Sequence, residues 1–160
     1  MNKQLPDSAK KVQDFLVENG FSYAVKELPD STRTAEEAAR AIGCSVAQIA
    51  KSLIFIDKAS SLPILVIASG AYQVDIGKIE DATGLQLIKA DAKFVKEKVG
   101  FAIGGVPPVG HLEKIRTLID PTLKNYECLW AAAGTPFAVF QLHSSQIQKM
   151  TNGEFVEMSR

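Results

Sequence analysis

Two apolar runs, Leu53-Ile54-Phe55-Ile56 and Ile64-Leu65-Val66-Ile67-Ala68, flank a short polar segment, Lys58 to Ser61. Runs this short and this rich in β-branched side chains suit strands that are buried on both faces better than helices. They predict two neighbouring, paired strands joined by a turn, and any fold for this chain must build a sheet around them.

Caps and breakers divide the rest of the chain. Asp7 or Ser8 predicts the cap of a helix carrying Val12, Phe15 and Leu16 on one face, with Gly20 as its stop. A strand at Phe21 to Val25 and a loop at Pro29-Asp30-Ser31 follow. Thr34 and Glu37 have capping-box spacing ahead of Ala38, Ala39 and Ile42, with Gly43 closing a second helix. Ser45 and Gln48 repeat the device, so a short third helix to about Ala50 delivers the chain into the first apolar run.

Further along, Asp75 to Asp81 and Asp91 to Val99 read as helices, with Asp91 as cap and Gly100 as stop. Leu85 to Ile88, Ile115 to Ile119, Cys128 to Ala132 and Phe137 to Leu142 read as strands, and Ser145 with Gln148 caps a last short helix. Trp130, Phe137 and Phe140 fall within these runs and are expected in the core. Strands outnumber helices and follow one another at turn-length spacing. This predicts an α+β class with a mixed sheet curled into a partly open β-barrel with surrounding helices, not a doubly wound parallel sheet.

A chain of 160 residues is the size of one domain, so residues 1–160 are expected to share one core. Eighteen Lys and Arg against eighteen Asp and Glu exclude a protein that binds by blanketing a phosphate backbone. No apolar run approaches the roughly 20 residues that span a bilayer, and MNKQLPDSAKK lacks the apolar core of a secretory signal, which predicts a cytoplasmic protein away from membranes. Cys44 and Cys128 stand without a CxxC or Cys/His cluster; they are expected as buried thiols, and neither a metal nor a cofactor is expected.

Lys51 stands where a short helix hands over to an apolar strand. Its ammonium there reads in two ways, as a partly desolvated group that binds a carbonyl or phosphate oxygen, or as a strand-end charge reaching back to water. Gly104-Gly105-Val106-Pro107-Pro108-Val109-Gly110 fits neither a helix nor a central strand. It is either a rigid loop that positions a small polar ligand or an ordinary connection. Ser69-Gly70 and Gly134-Thr135-Pro136 are turn segments with small side chains, and Asp120 before Pro121 suits the start of a turn. His111 and His143 lack partners at triad or metal spacing, and no Ser lies in GxSxG.

Taken together, Thr34-Ala35-Glu36-Glu37-Ala38-Ala39, Gln48-Ile49-Ala50-Lys51-Ser52-Leu53 and the 104–110 segment resemble the YbaK/ProX family of aminoacyl-tRNA editing domains in order and spacing. Asp120 and Ala133-Gly134-Thr135 extend the similarity from about residue 20 to 151. The resemblance implies the partly open mixed barrel and a free-standing, trans-acting deacylase. Such an enzyme hydrolyses the ester between a small, wrong amino acid and the 3′-terminal adenosine of a mischarged tRNA, with an aminoacyl-tRNA synthetase as a further partner. Lys51 matches the family's functional lysine, Gly104 with Pro108 its GxxxP loop, and Gly134 the glycine across the pocket. Lys51 and Gly104 are thereby implied as catalytic. Gly105, Val106, Pro107, Pro108 and Thr135 join Gly134 as substrate-binding, and Thr34, Ser69, Gly70 and Asp120 fall on segments that line the pocket. The chain departs from the family at Gln73, where a basic residue is common.

The expected mechanism anchors the ester or terminal ribose on the Lys51 ammonium, positions water on the backbone of Gly104 to Val106, and draws on the substrate's own hydroxyl or amino group as base. Alanine, serine, threonine and cysteine are all open as the amino acid. A non-catalytic module of the same fold that holds tRNA ends or a synthetase is the alternative, and a small-molecule esterase in the same pocket a second one.

Overall fold

The computed structural model describes residues 5–160, so the first four residues of the stretch read above for a secretory signal lie outside the described residues. The described residues form five helices and eight strands: α1 (Asp7–Glu18), β1 (Val25–Glu27), α2 (Ala35–Ile42), β2 (Ala50–Asp57), β3 (Pro63–Ser69), α3 (Ile76–Thr83), β4 (Leu87–Lys89), α4 (Ala92–Val99), β5 (Arg116–Ile119), β6 (Cys128–Ala132), β7 (Ala138–His143), α5 (Ile147–Thr151) and β8 (Glu154–Phe155). Single 3-10 turns occupy Val46–Gln48, Pro121–Asn125 and Ser144–Gln146.

The α+β class and the mixed pairing are as expected. The strands form two sheets, β1-β7-β6 and β4-β2-β3-β5-β8, and not one ladder closing on itself. The first is antiparallel; in the second, β3 with β5 and β5 with β8 run parallel. Among the described residues the two sheets share one backbone pairing, the isolated parallel bridge of Ile49 with Trp130. The mixed α+β arrangement is thus present as two sheets packed against each other, with no closed barrel among the described residues.

β2 and β3 pair antiparallel, as predicted, with Lys51 opposite Ala68 and Ser52 opposite Ile67. Because successive side chains point to opposite faces, this register assigns each residue a side. Ala50, Leu65, Ile67 and Ile119 face a core shared with Leu129, Ala131, Phe140 and Leu142 of the other sheet and with Val12 and Leu16 of α1. Ile64, Val66 and Leu118 face the opposite way, under Ile79 of α3. β3 is thus buried from Ile64 to Ser69, but β2 is only half-buried from Lys51 to Ile56. β4 pairs with the outer edge of β2 only at Phe55–Asp57, leaving Ala50 to Ile54 without a ladder partner on that side.

Other boundaries move for local reasons. α1 has Pro6 at its cap position, with no side-chain cap from Asp7 or Ser8. The strand expected from Phe21 begins at Val25. The Phe21 N–H is used on the Leu16 carbonyl at the end of α1, and Gln13 binds both the Tyr23 carbonyl and the Val25 N–H. Thr34 caps α2 by accepting from the Glu37 N–H, but the return bond from Glu37 is not made, so half of that capping box forms. Ser45 and Gln48 complete theirs around a single 3-10 turn, after which β2 has already begun at Ala50. The last helix is entered through His143, whose ring accepts from the Ser145 N–H, in place of the predicted Ser145–Gln148 cap. Phe140 is core, whereas Phe137 is exposed and Trp130 only partly buried. Both cysteines are free and partly buried, and burial pushes the Cys44 thiol up, partly offset by a hydrogen bond from its own backbone. Among the described residues no helix is long and apolar enough to cross a membrane.

Gly70, directly after β3, leaves no room for a side chain: a Cβ there would lie 2.6 Å from the Val46 carbonyl oxygen and 2.7 Å from the Ala35 Cβ. Gly70→Ala must push α2 and the 46–49 segment away from the sheet. It is expected to cost about 1–3 kcal/mol, lowering the melting temperature by several degrees in a thermal scan.

Candidate active site

Where β2 and β6 separate beyond the Ile49–Trp130 bridge, their facing edges open a cavity of about 330 Å³. Ala50 to Leu53 of β2 form one wall and Trp130 to Ala132 of β6 the other. The start of α2 and the 103–106 segment close the ends, contributing Thr34, Ala35, Ile103, Gly104 and Val106. A gap between two strand edges presents backbone N–H and C=O groups that no neighbouring strand consumes.

Lys51 is half-buried on this wall, and its Nζ donates to the carbonyl of the exposed Tyr72 at 3.1 Å. One of three ammonium donors is used, and two remain for a ligand. The ammonium is therefore steadied at the rim by a hydrogen bond, which sits between the two readings of this residue given above.

The 104–110 segment is neither helix nor strand, as predicted, and residues 105–109 are buried. The Gly105 N–H closes a turn onto the Ala102 carbonyl, which puts Gly104 at the third position with φ of +94°. That conformation favours glycine, and a Cβ there would also meet the Arg33 side chain at 2.8 Å. Gly105 packs against the Thr135 backbone, and its carbonyl accepts from the Gly134 N–H at 2.9 Å. Gly134, at φ of +97°, is itself pressed onto the Ser8 carbonyl of α1. The loop is thus clamped from behind by the β6–β7 turn. At its far end the His111 Nε2 lies 2.7 Å from the Pro107 carbonyl; a carbonyl only accepts, so this nitrogen carries the proton.

Ser69, Gly70 and Asp120 form a second supporting group, beneath β2. The buried Asp120 carboxylate accepts from the Ser69 N–H and from both the N–H and hydroxyl of Thr122, capping the Pro121–Asn125 turn. The Ser69 hydroxyl donates to the Ala47 carbonyl, and the Gly70 N–H to that of Ile49. These bonds tie the segment just before Lys51 to the end of β3, and so fix where Lys51 leaves the sheet.

Of the residues singled out in the sequence, Thr34, Lys51, Gly104 and Val106 meet at the cavity wall. Gly105, Gly134 and Thr135 lie directly behind the loop. Ser69, Gly70 and Asp120 use their polar groups within the fold, and Pro108 lines a separate groove on the far side. Arg33, Ile103 and Ser52 reach the cavity without having been singled out. Ser52 is the lone hydroxyl among the even positions Ala50, Ser52, Ile54 and Ile56, a pattern that gains meaning only once the strand register shows that these positions face inward. Among the described residues no three His, Cys, Asp or Glu side chains gather into a metal-binding group.

A small α+β fold with a slot between two sheets, a lysine at the rim and a glycine loop opposite has the architecture of an aminoacyl-tRNA editing domain. The sequence profile of the "Aminoacyl-tRNA editing domain" family matches residues 29–150, and the chain belongs to that family. A crystal structure described as a "putative trans-editing enzyme for prolyl tRNA synthetase" superposes with a TM-score of 0.91 at 40% identity, over 98% of this chain and 99% of that one. Bacillus subtilis YwhH is 28% identical over 90% of this chain and 91% of its own. Enterococcus faecalis EbsC, named "Putative Cys-tRNA(Pro)/Cys-tRNA(Cys) deacylase", is 24% identical over 79% of this chain and 77% of its own.

Burial lowers the affinity of His111 for a second proton, opposed in part by its bond with Pro107. The unfolded chain protonates near the ordinary value, about 6.5, and the folded chain below it. The stability this ring contributes is whole above about pH 6.5 and lost as the pH falls from there toward the folded value. Melting temperatures recorded from pH 7.5 to 5 are expected to fall less steeply for His111→Gln than for wild type.

Proposed function

We propose that this protein is a trans-acting aminoacyl-tRNA deacylase that hydrolyses the ester of a small amino acid mischarged on tRNA. The observation that carries this reading is the slot itself: a lysine with two free ammonium donors stands at the rim of a cavity between two strand edges, and a glycine turn closes its end. Family membership and the relatives named for editing and deacylation support it.

In this reading the Lys51 ammonium binds the oxygen-rich end of the substrate, at the ester carbonyl or the terminal ribose, and stabilises charge as the tetrahedral intermediate forms. Backbone groups of Gly104 to Val106 orient the attacking water, held in place by the Gly105–Gly134 bond. Water adds to the ester carbonyl carbon, the acyl C–O bond breaks, and the ribose hydroxyl leaves with a proton. Asp120 is committed to four hydrogen bonds away from the slot, and the proton from water is accepted by the substrate's own amino or ribose hydroxyl group.

Ser69, Gly70 and Asp120 act by positioning the β2 segment, while Thr34 holds the α2 end of the slot. We place the chain in the cytoplasm, as one editing domain acting on tRNA released by a synthetase, with no cofactor. The neutral net charge fits recognition of the aminoacyl-adenosine end and not of the whole tRNA backbone.

Deacylation of a panel of mischarged tRNAs tests the reading. Wild type is expected to clear at least one, and Lys51→Ala to lose about 10²–10³ of kcat/KM while melting like wild type, since its ammonium makes one exposed hydrogen bond. Binding of charged tRNA with no turnover on any member of the panel would contradict it.

A further inference from the structure

The inner wall of the slot holds one polar group that the fold leaves unused. Ser52 points to the same side of β2 as Ala50 and Ile54, opposite the fully buried Ile67, and so into the space between the two sheets. Its Oγ is sealed from solvent and has no hydrogen-bond partner among the described residues. The other hydroxyls lining the slot are engaged: Thr32 donates to the Pro136 carbonyl and Thr34 accepts from the Glu37 N–H. Around Ser52 the wall is apolar, made by Ala50, Val106, Ala131 and Val139. A buried hydroxyl without a partner lowers stability, and such groups are rare in folded proteins unless a ligand or water completes them.

We propose that Ser52 pairs with a hydroxyl on the side chain of the substrate's amino acid, making the preferred substrates serine-type esters and not alanine ones. The proposal rests on the deacylase reading and names its specificity. Lys51 leaves the opposite face of the same strand and holds the ester end at the rim, so the side chain of the amino acid is the part of the substrate that enters between the sheets. In an apolar pocket a hydroxyl gains little over a methyl unless the wall answers it. Ser52 provides that answer, as donor or acceptor, at the one inward-facing position of β2 that is not aliphatic. A thiol, a weak hydrogen-bonding group, gains less from the same contact.

The experiment charges a single tRNA in turn with serine, alanine and cysteine and compares deacylation by wild type and Ser52→Ala. Wild type is expected to clear the seryl ester at least about tenfold faster than the alanyl ester, with the cysteinyl ester between them. Ser52→Ala is expected to slow the seryl reaction by about the same factor and leave the alanyl reaction unchanged. Because the hydroxyl has no partner in the free protein, the variant should melt at or above the wild-type temperature. Equal clearance of seryl and alanyl esters by wild type, a cysteinyl rate above the seryl one, or an equal loss on all three esters in the variant would overturn the assignment while leaving the deacylase reading intact. A lowered melting temperature in the variant would overturn it as well. Failure of wild type on every ester of the wider panel would instead remove the deacylase reading.

Discussion

Everything at the candidate site depends on the antiparallel pairing of β2 with β3 and on the edge that β2 leaves open. Pairing on one side holds Ala50 to Ile56 in a fixed register against Pro63 to Ser69, in which Lys51 and Ser52 must leave by opposite faces. On the other side β4 stops at Phe55, and β6 pairs its backbone with this segment at the Ile49–Trp130 bridge. A closed barrel would have used those edge groups for its own ladder. Two sheets joined at one corner leave them free, and that gap is the slot.

The slot keeps its shape because its supports are buried and fully bonded. Asp120 reaches from the end of β5 to the Ser69 N–H, and Ser69 in turn reaches the Ala47 carbonyl, so β3, β5 and the entry to β2 form one connected unit. Across the slot, Gly104 to Val106 are held by the Gly105–Gly134 bond, by contact with the Thr135 backbone and by His111 on Pro107. Fixing both walls before a ligand arrives reduces the ordering that binding must impose. It also explains why several residues of the family pattern lie behind the slot. Gly105 and Gly134 are small because two backbones approach closely there, and a Cβ at either would lie under 3 Å from main-chain atoms.

The two β-branched runs, the helix stops at Gly43 and Gly100 and the loop character of 104–110 were legible in the sequence because each is decided by local chemistry. Local cues failed where a distant group intervened. The Gln13 side chain, twelve residues away, satisfies Val25 and helps hold the preceding residues out of a strand. β8 is two residues long and exists only because β5 offers it a parallel edge. Lys51 and the glycine loop stood out as a charge and a breaker in apolar surroundings. Ser52 did not, since a serine inside a strand carries weight only once its face and its missing partner are known.

The central claim is that the aminoacyl-adenosine end of tRNA occupies the gap between β2 and β6. Amide chemical-shift mapping with a non-hydrolysable 3′-seryl-amido adenosine tests it directly. The account predicts saturable shifts at Lys51, Ser52, Gly104 and Ala131, which surround the slot, with little change at Glu113 to Arg116. Shifts confined to the far groove lined by Pro108, His111 and Arg116, with the slot residues unmoved, would contradict it.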